Sequence, residues 1–262
     1  MTDRFAHDTR ALAETYERTS DLQLESGLAL LDRLSLRPGE HVLDVGCGTG
    51  RLTRAMLARV SPGGTVTGVD PAGLRIELAR RQESSVRFEV AGAEDLSLFA
   101  DARFDAACLS SVLHWISDGA RALREVRRVL RHGGRLGLTT MPHELSSEGT
   151  VSRVVRGVLE RGGWTPTPGA RGRTTSEVIS LLLECGFEVL DVQVAPVDSV
   201  WPSGEEFVSF AEASAFGTLL SAVPERARAT ARASLVAALE AERGPSGVVV
   251  RTWNVSALAR AR

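Results

Sequence analysis

The sequence predicts an α/β protein: a mostly parallel sheet covered by helices on both faces, with a helical cap over one edge. Three observations carry that class. From His41 to Thr140, short apolar and β-branched runs alternate with helical patterns, which is the signature of strands joined by crossover helices. The first run, Val42, Leu43 and Val45, meets three glycines at every second position (Gly46, Gly48, Gly50) before a helical pattern starts at Leu52. Strand, glycine turn and helix in that order hold a nucleotide-like ligand at the carboxyl edge of a parallel sheet. Beyond Thr140 the regular pitch is lost in two stretches, 141–173 and 199–246, which are expected to form the cap.

The elements follow in order. Residues 3–34 read as two amphipathic helices, with Leu24, Leu28, Leu31 and Leu34 at the three- and four-residue spacing of one face. They precede the sheet and are expected to act as an N-terminal helical lid over 1–36, with the main domain from 37 to 262. A first helix is expected over Leu52 to Val60, ended by Ser61-Pro62-Gly63-Gly64, and a β-branched strand then finishes at Asp70. An acidic residue about 20 positions past a glycine loop is placed to take the two hydroxyls of an adenosine ribose. Val86 to Ala91 suits a third strand and Phe104 to Leu109 a fourth, which leads into Ser110-Ser111-Val112-Leu113-His114-Trp115. A helix over Asp118 to Arg131 has an aspartate N-cap and Gly133 as its stop, and a fifth strand runs from Arg135 to Thr140.

Pro142, Gly162-Gly163, Trp164 and the stretch Pro166 to Gly169 make 141–173 an irregular cover. A helix over Thr174 to Cys185 and a strand over Phe187 to Val194 restore the pattern. Helices over Ser203 to Leu220 and Pro224 to Glu242 follow, broken at Val223-Pro224, and a last strand spans Val248 to Ala259.

Composition narrows the function. The 262-residue chain can bury a substantial core, and its 31 basic and 33 acidic residues leave a net charge of −2. That balance argues against a phosphate-binding surface, so no nucleic acid is expected as partner. Every basic side chain is an arginine, which removes lysine bases and Schiff-base chemistry. Cys47, Cys108 and Cys185 are far apart and suit buried free thiols in a reducing cytosol. Residues 1–10 lack an apolar signal-peptide core and no apolar run is long enough for a bilayer, so a cytoplasmic monomer or homodimer without a membrane partner is expected. The five histidines are scattered and form no zinc pattern.

Arg51 stands where a dinucleotide fingerprint needs its third glycine, and the spacing is instead Asp-x-Gly-x-Gly-x-Gly from Asp44. With Tyr16, Ser20 and Gln23 ahead of the sheet, Gly68-Val69-Asp70-Pro71, Leu113-His114-Trp115-Ile116 and Leu130-Arg131-His132-Gly133-Gly134-Arg135, this resembles the class I S-adenosylmethionine (SAM)-dependent methyltransferases. The likeness is to the small-molecule branch that includes trans-aconitate-type and juvenile-hormone-acid-type carboxyl methyltransferases. The resemblance implies a Rossmann-like seven-stranded sheet of order 3214576 with its last strand antiparallel, and SAM as cofactor. It also implies that Asp44 faces the methionine ammonium and that Gly46, Cys47, Gly48 and Gly50 pass under the ligand. Asp70 and Pro71 would border the ribose, Ala93 with Glu94 or Asp95 the adenine, and Tyr16, Gln23, Ser110 and Trp115 the remainder.

Transfer at a methyl carbon requires mainly a nucleophile held in line with the sulfur, and positioning alone supplies about 7–11 kcal/mol at the favourable limit. A phenol, enol or amine gains from a general base, whereas a carboxylate needs none. His114, just beyond the fourth strand, is the first candidate for that base, with orienting the ligand as its other role, and His143 is the second. The reading is O-methylation of a small, hydrophobic metabolite. Retention of SAM in a non-methylating cyclisation or rearrangement, and C- or N-methylation, are the alternatives.

Overall fold

In the computed structural model, which describes residues 5, 7–145, 149–164 and 172–262, the chain opens with two helices, α1 (Arg10–Thr19) and α2 (Asp21–Leu34). There follow β1 (His41–Val45), α3 (Arg51–Val60), β2 (Thr65–Asp70), α4 (Gly73–Gln82) and β3 (Arg87–Val90). Next come β4 (Phe104–Ser110), a short 3₁₀ turn (Leu113–Trp115), α5 (Gly119–Val129) and β5 (Leu130–Thr140). The second half contains α6 (Thr150–Gly162), α7 (Thr175–Glu184), β6 (Phe187–Trp201), α8 (Gly204–Ser214), α9 (Glu225–Glu240) and β7 (Val248–Ala261).

The strands form one seven-stranded sheet ordered β3-β2-β1-β4-β5-β7-β6. β1 to β5 pair in parallel, and β7 runs antiparallel to both β5 and β6. This is the 3214576 order the resemblance implies. Successive strand residues face opposite sides, so β1 supplies both layers. Val42 packs with Leu30, Leu31 and Leu34 of α2 and Met56 of α3. Leu43 and Val45 pack with Leu123 and Val126 of α5 and Leu182 of α7. Asp44 lies on the Val42 face, beneath the start of α3.

The cap has a core of its own. β6 and β7 are paired from Phe187–Ala261 out to Trp201–Val248, well past the point where β5 ends, and this ribbon carries α6, α8 and α9. Trp201, Phe207, Phe210, Val158, Leu235, Leu239 and Val250 pack together there.

Four expectations are corrected. The stretch 141–173 is not irregular throughout, because Thr150–Gly162 is helical and buries Val154, Val158 and Leu159 in the cap core. Its valines and internal Gly157 hide a helical stripe, while 146–148 and 165–171, including Pro166 to Gly169, lie outside the described residues. The cap helices break over 215–224 rather than at Val223-Pro224 alone, since α8 ends at Ser214 and α9 begins at Glu225. β6 continues seven residues beyond Val194 because every step finds a partner on β7. Of the described N-terminal residues, Phe5, Tyr16 of α1 and Leu22, Gln23 and Ser26 of the first half of α2 line the ligand cavity, while the second half of α2 is part of the sheet layer.

Candidate functional site

The glycine loop is shaped by its backbone. Gly46 and Gly48 have φ values of 75° and 55°, in the left-handed region where a side chain is strained. At Gly46 an added Cβ would also lie 2.3 Å from Val112, so the loop and the turn after β4 can meet only without it. The loop amides bond to the end of β2: the Gly46 and Cys47 N–H groups donate to the Val69 carbonyl. The Gly48 N–H donates to Asp70 Oδ2 at 2.9 Å, and Asp70 Oδ1 accepts the Ala72 N–H at 2.8 Å. Burial pushes the Asp70 carboxyl above its ordinary value, against the pull of these amides and of Arg75. Each carboxylate oxygen thus holds one backbone amide and keeps a second lone pair for a ligand.

A cavity of about 770 Å³ opens on this edge. Its wall brings together Tyr16, Gln23, Gly46, Gly48, Asp70, Pro71, Ala93, Glu94, Ser110, His114 and Trp115. Of the two acidic residues after β3, Glu94 is the one on the wall, and its Oε1 accepts the N–H groups of Ser117 and Asp118. Asp95 is exposed and accepts the Ser97 N–H; the Ser97 hydroxyl first, and then its amide, hold the carboxyl below its ordinary value.

Five expected site residues lie off the wall. Asp44 is buried with Oδ2 taken by the Thr53 hydroxyl at 2.6 Å, and burial pushes its carboxyl up to about 7. Cys47 turns into the core beside Phe88 and Ile76, over Gly68. Gly50 packs against Phe88 and Ala79 as it starts α3. Asp95 is the fourth. His143 is the fifth: it is exposed, beyond β5, where its backbone N–H bonds to the Arg173 carbonyl.

His114 is 5% exposed, and its Nδ1 lies 3.1 Å from Thr140 Oγ1 at the end of β5. Trp115 sits beside it, with ring centroids 5.4 Å apart, and meets Phe216 edge-on at 5.2 Å. Two non-glycine residues on the wall adopt left-handed backbone, Ser111 (φ 60°) and Phe216 (φ 53°). Ser111 is held there by its N–H, which bonds to the carbonyl and hydroxyl of Thr139.

Arg75 was not distinguishable in the sequence. Its Nε donates to Asp8 at 3.0 Å with both side chains 3% exposed, and its Nη2 donates to the Ala213 carbonyl at 2.6 Å. The rings of Tyr16 and Phe216 lie 4.5 and 4.1 Å from the guanidinium carbon. One side chain on α4 thereby ties the N-terminal segment to the end of α8 over the ligand edge. The available signal was that Arg75 shares a helical face with buried Ala79. On the cap side the wall is apolar, with Met141, Leu145, Val151, Phe207, Phe210 and Leu219, and β7 adds Thr252, Trp253 and Asn254.

Residues 43–138 match the model of a methyltransferase domain. Over this stretch the chain is similar to methyltransferase domains, and its sheet has the 3214576 strand order. It is 34% identical over 194 residues to an uncharacterised 37.1 kDa transposon protein of Streptomyces fradiae, covering 70% of this chain and 53% of that one. It is 35% identical over 129 residues to a malonyl-[acyl-carrier protein] O-methyltransferase of Pseudescherichia vulneris, covering 49% and 50%. The chain thus spans about half the length of these curated relatives. Among solved structures it is similar to the [4+2]-cyclase SpnF, at a TM-score of 0.58 and 25% identity over 90% of this chain and 80% of that one.

The cofactor is SAM, and the wall fits it. Asp70 offers two acceptor oxygens to a diol. Gly46 and Gly48 bring bare backbone to the cavity, where a Cβ on Gly48 would point towards Tyr16 at 3.6 Å. Gln23 adds a buried Oε1 that has no hydrogen-bond partner among the described residues. Among the described residues no cluster of His, Cys, Asp or Glu could hold a metal ion, and no helix is long and apolar enough to cross a membrane.

Proposed function

We propose that the protein transfers a methyl group from SAM to an oxygen of a small, hydrophobic metabolite. The observation that carries this reading is one cavity whose wall is shared by the glycine loop and Asp70, the apolar residues of the cap, and buried His114. Asp70 would hold the ribose, the Gly46 to Gly48 backbone the methionine portion, and Ala93 with Glu94 the adenine. When bound, SAM supplies a methyl group on an electron-poor sulfur, the leaving group being part of the molecule. The aromatic face of Trp115 favours a cation beside it. His114, set by Thr140, receives the proton of the acceptor, and the cap excludes water from the nucleophile.

The family likeness to O-methyltransferases supports oxygen as the receiving atom. Similarity to a [4+2]-cyclase makes turnover without methyl transfer the outcome to look for on the other side. Incubation with methyl-labelled SAM and a panel of apolar hydroxyl compounds tests the reading. Label appearing as a methyl ether supports it, whereas acceptor conversion with SAM left intact would replace it with the cyclase-type alternative.

A further inference from the structure

We propose that the open edge of β7 at Trp253 anchors the acceptor by a peptide-like unit, an N–H and a C=O on either side of one carbon, which pairs with the N–H and C=O of Trp253. The proposal rests on the methyl-transfer reading above and adds the group that holds the acceptor, which is not the atom that is methylated.

The edge is open because of how the chain ends β5. In an antiparallel pair the N–H and C=O of one residue point to the same side, and successive residues point to opposite sides. The ladder between β5 and β7 closes at Thr140 opposite Val255, so the next residue of β5 to face Trp253 would be Pro142. Proline has no N–H to give, and Pro142 forms an isolated bridge with Arg173 instead. From there to Val248, β7 is paired only with β6. The Arg251 N–H shows which way the groups point, because it donates to the Thr150 hydroxyl at 3.1 Å rather than to β6. Trp253 lies two residues on, with no break in the register, and faces the same side. Its counterpart on β6 is Pro196, which also has no N–H, as suits a position where β6 and β7 exchange no bonds.

Trp253 is thus left with hydrogen-bonding groups that meet nothing. Among the described residues neither its N–H nor its C=O has a partner, and its indole Nε1 is buried without one. Polar groups inside a protein are rarely left so. Trp253 lines the cavity together with Pro142 and Asn254, and the Asn254 amide, itself without a hydrogen bond among the described residues, offers a further donor and acceptor. A donor and an acceptor on one residue are what a strand presents to its neighbour, and a peptide-like unit answers both at once. A ketone, ether or ester answers only the N–H. A cavity of about 770 Å³ that also takes the cofactor suits a small molecule of this kind and not a length of strand. Thr140, the last paired residue of β5, is also the one that touches His114. An acceptor held at Trp253 is therefore anchored about 7 Å further along the ladder from that contact.

The test is a binding comparison that needs no turnover. The intact protein, saturated with S-adenosylhomocysteine, is titrated calorimetrically with N-acetyl-phenylalanine N-methylamide and with O-acetyl-phenyllactic acid methyl ester, which has the same shape and an oxygen in place of each N–H. The amide is expected to bind about tenfold more tightly or better, a difference of roughly 1.4 kcal/mol. Trp253→Ala removes the ring, keeps the backbone N–H and should keep the preference. Trp253→Pro removes the N–H at a position where β6 does not need it and should lose the preference. Equal binding of the two probes by the wild type overturns the proposal, and so does failure of both to bind. A preference that vanishes in Trp253→Ala, or persists in Trp253→Pro, overturns it as well. Should Trp253→Pro fail to fold, the wild type and Trp253→Ala decide the matter. Failure of S-adenosylhomocysteine itself to bind would strike the methyl-transfer reading, whereas its binding without an amide preference strikes this proposal alone.

Discussion

Replacing Arg75 with methionine keeps the aliphatic stem of the side chain and removes the guanidinium from the junction over the ligand edge. Asp8 would then be left 3% exposed with no cation at 3.0 Å, and the Ala213 carbonyl in the last turn of α8 would lose its 2.6 Å donor. Breaking a buried ion pair from one side costs about 3–5 kcal/mol, because the surviving charge is uncompensated. Surface pairs are worth about 1 kcal/mol or less, and this pair is not one of them. Arg75→Met is therefore expected to lower the unfolding free energy by about 3–5 kcal/mol. Adding Asp8→Leu should restore most of the loss, since removing both charges leaves an apolar junction lined by Tyr16 and Phe216. The assay is urea denaturation followed by tryptophan fluorescence, run as a double-mutant cycle. A loss below about 1 kcal/mol, or a double variant no more stable than the single one, would refute the reasoning.

Three further outcomes are expected. His114→Ala should slow methyl transfer by about a hundredfold or more while S-adenosylhomocysteine affinity in calorimetry changes little, and His143→Ala should leave both unchanged; equal rates for the two variants would remove His114 as base. Gly46→Ala should destabilise by about 1–2 kcal/mol through its left-handed φ alone, with more from displacing Val112, and a thermal melt indistinguishable from wild type would contradict the loop geometry. Asp44 gives a pH signature, because burial raises its carboxyl from 3.8 to about 7 in the folded chain, opposed by the Thr53 hydroxyl and reinforced by Asp70. A folded pKa above the unfolded one means the folded state holds the proton more tightly. Its contribution is therefore complete below 3.8 and is lost as pH rises through about 7. The upper limit of that change is about 4 kcal/mol. The stability difference between wild type and Asp44→Asn should decline across this window in denaturation curves, and a flat difference would argue against it.

The fold was legible because its signals are local. Val42, Leu43 and Val45 ahead of three spaced glycines announce a strand and a ligand turn, and the same alternation repeats as far as Thr140. The order of the strands came from family likeness rather than from periodicity. What lay on the cavity was legible where backbone geometry decides it, as at Gly46, Gly48 and Asp70. It was illegible where two neighbours compete for one orientation. Nothing in Glu94-Asp95 says which carboxylate turns inward, and the outcome rests on the amides of Ser117 and Asp118, which lie more than twenty positions away. His143 was attractive for its position after β5, yet the strand ends and its side chain is exposed. Arg75 was hidden because its partners, Asp8 and Ala213, are 67 and 138 positions distant. The cap was hardest to read, because α6, α8 and α9 pack on a ribbon extending past the main sheet, and most of their apolar residues serve that core. Trp201 and Leu220 belong to it, whereas Phe207, Phe210, Phe216 and Leu219 reach the cavity.

The central claim is that Asp70 and the glycine loop bind SAM at the mouth of this cavity. Calorimetric titration of the wild-type protein and of Asp70→Ala with S-adenosylhomocysteine tests it most directly. The account predicts saturable one-to-one binding by the wild type, and a loss of affinity in the variant large enough to abolish the isotherm while the fold, checked by circular dichroism, is kept. A wild-type protein that gives no heat, or a folded Asp70→Ala variant that binds as tightly as wild type, would contradict it.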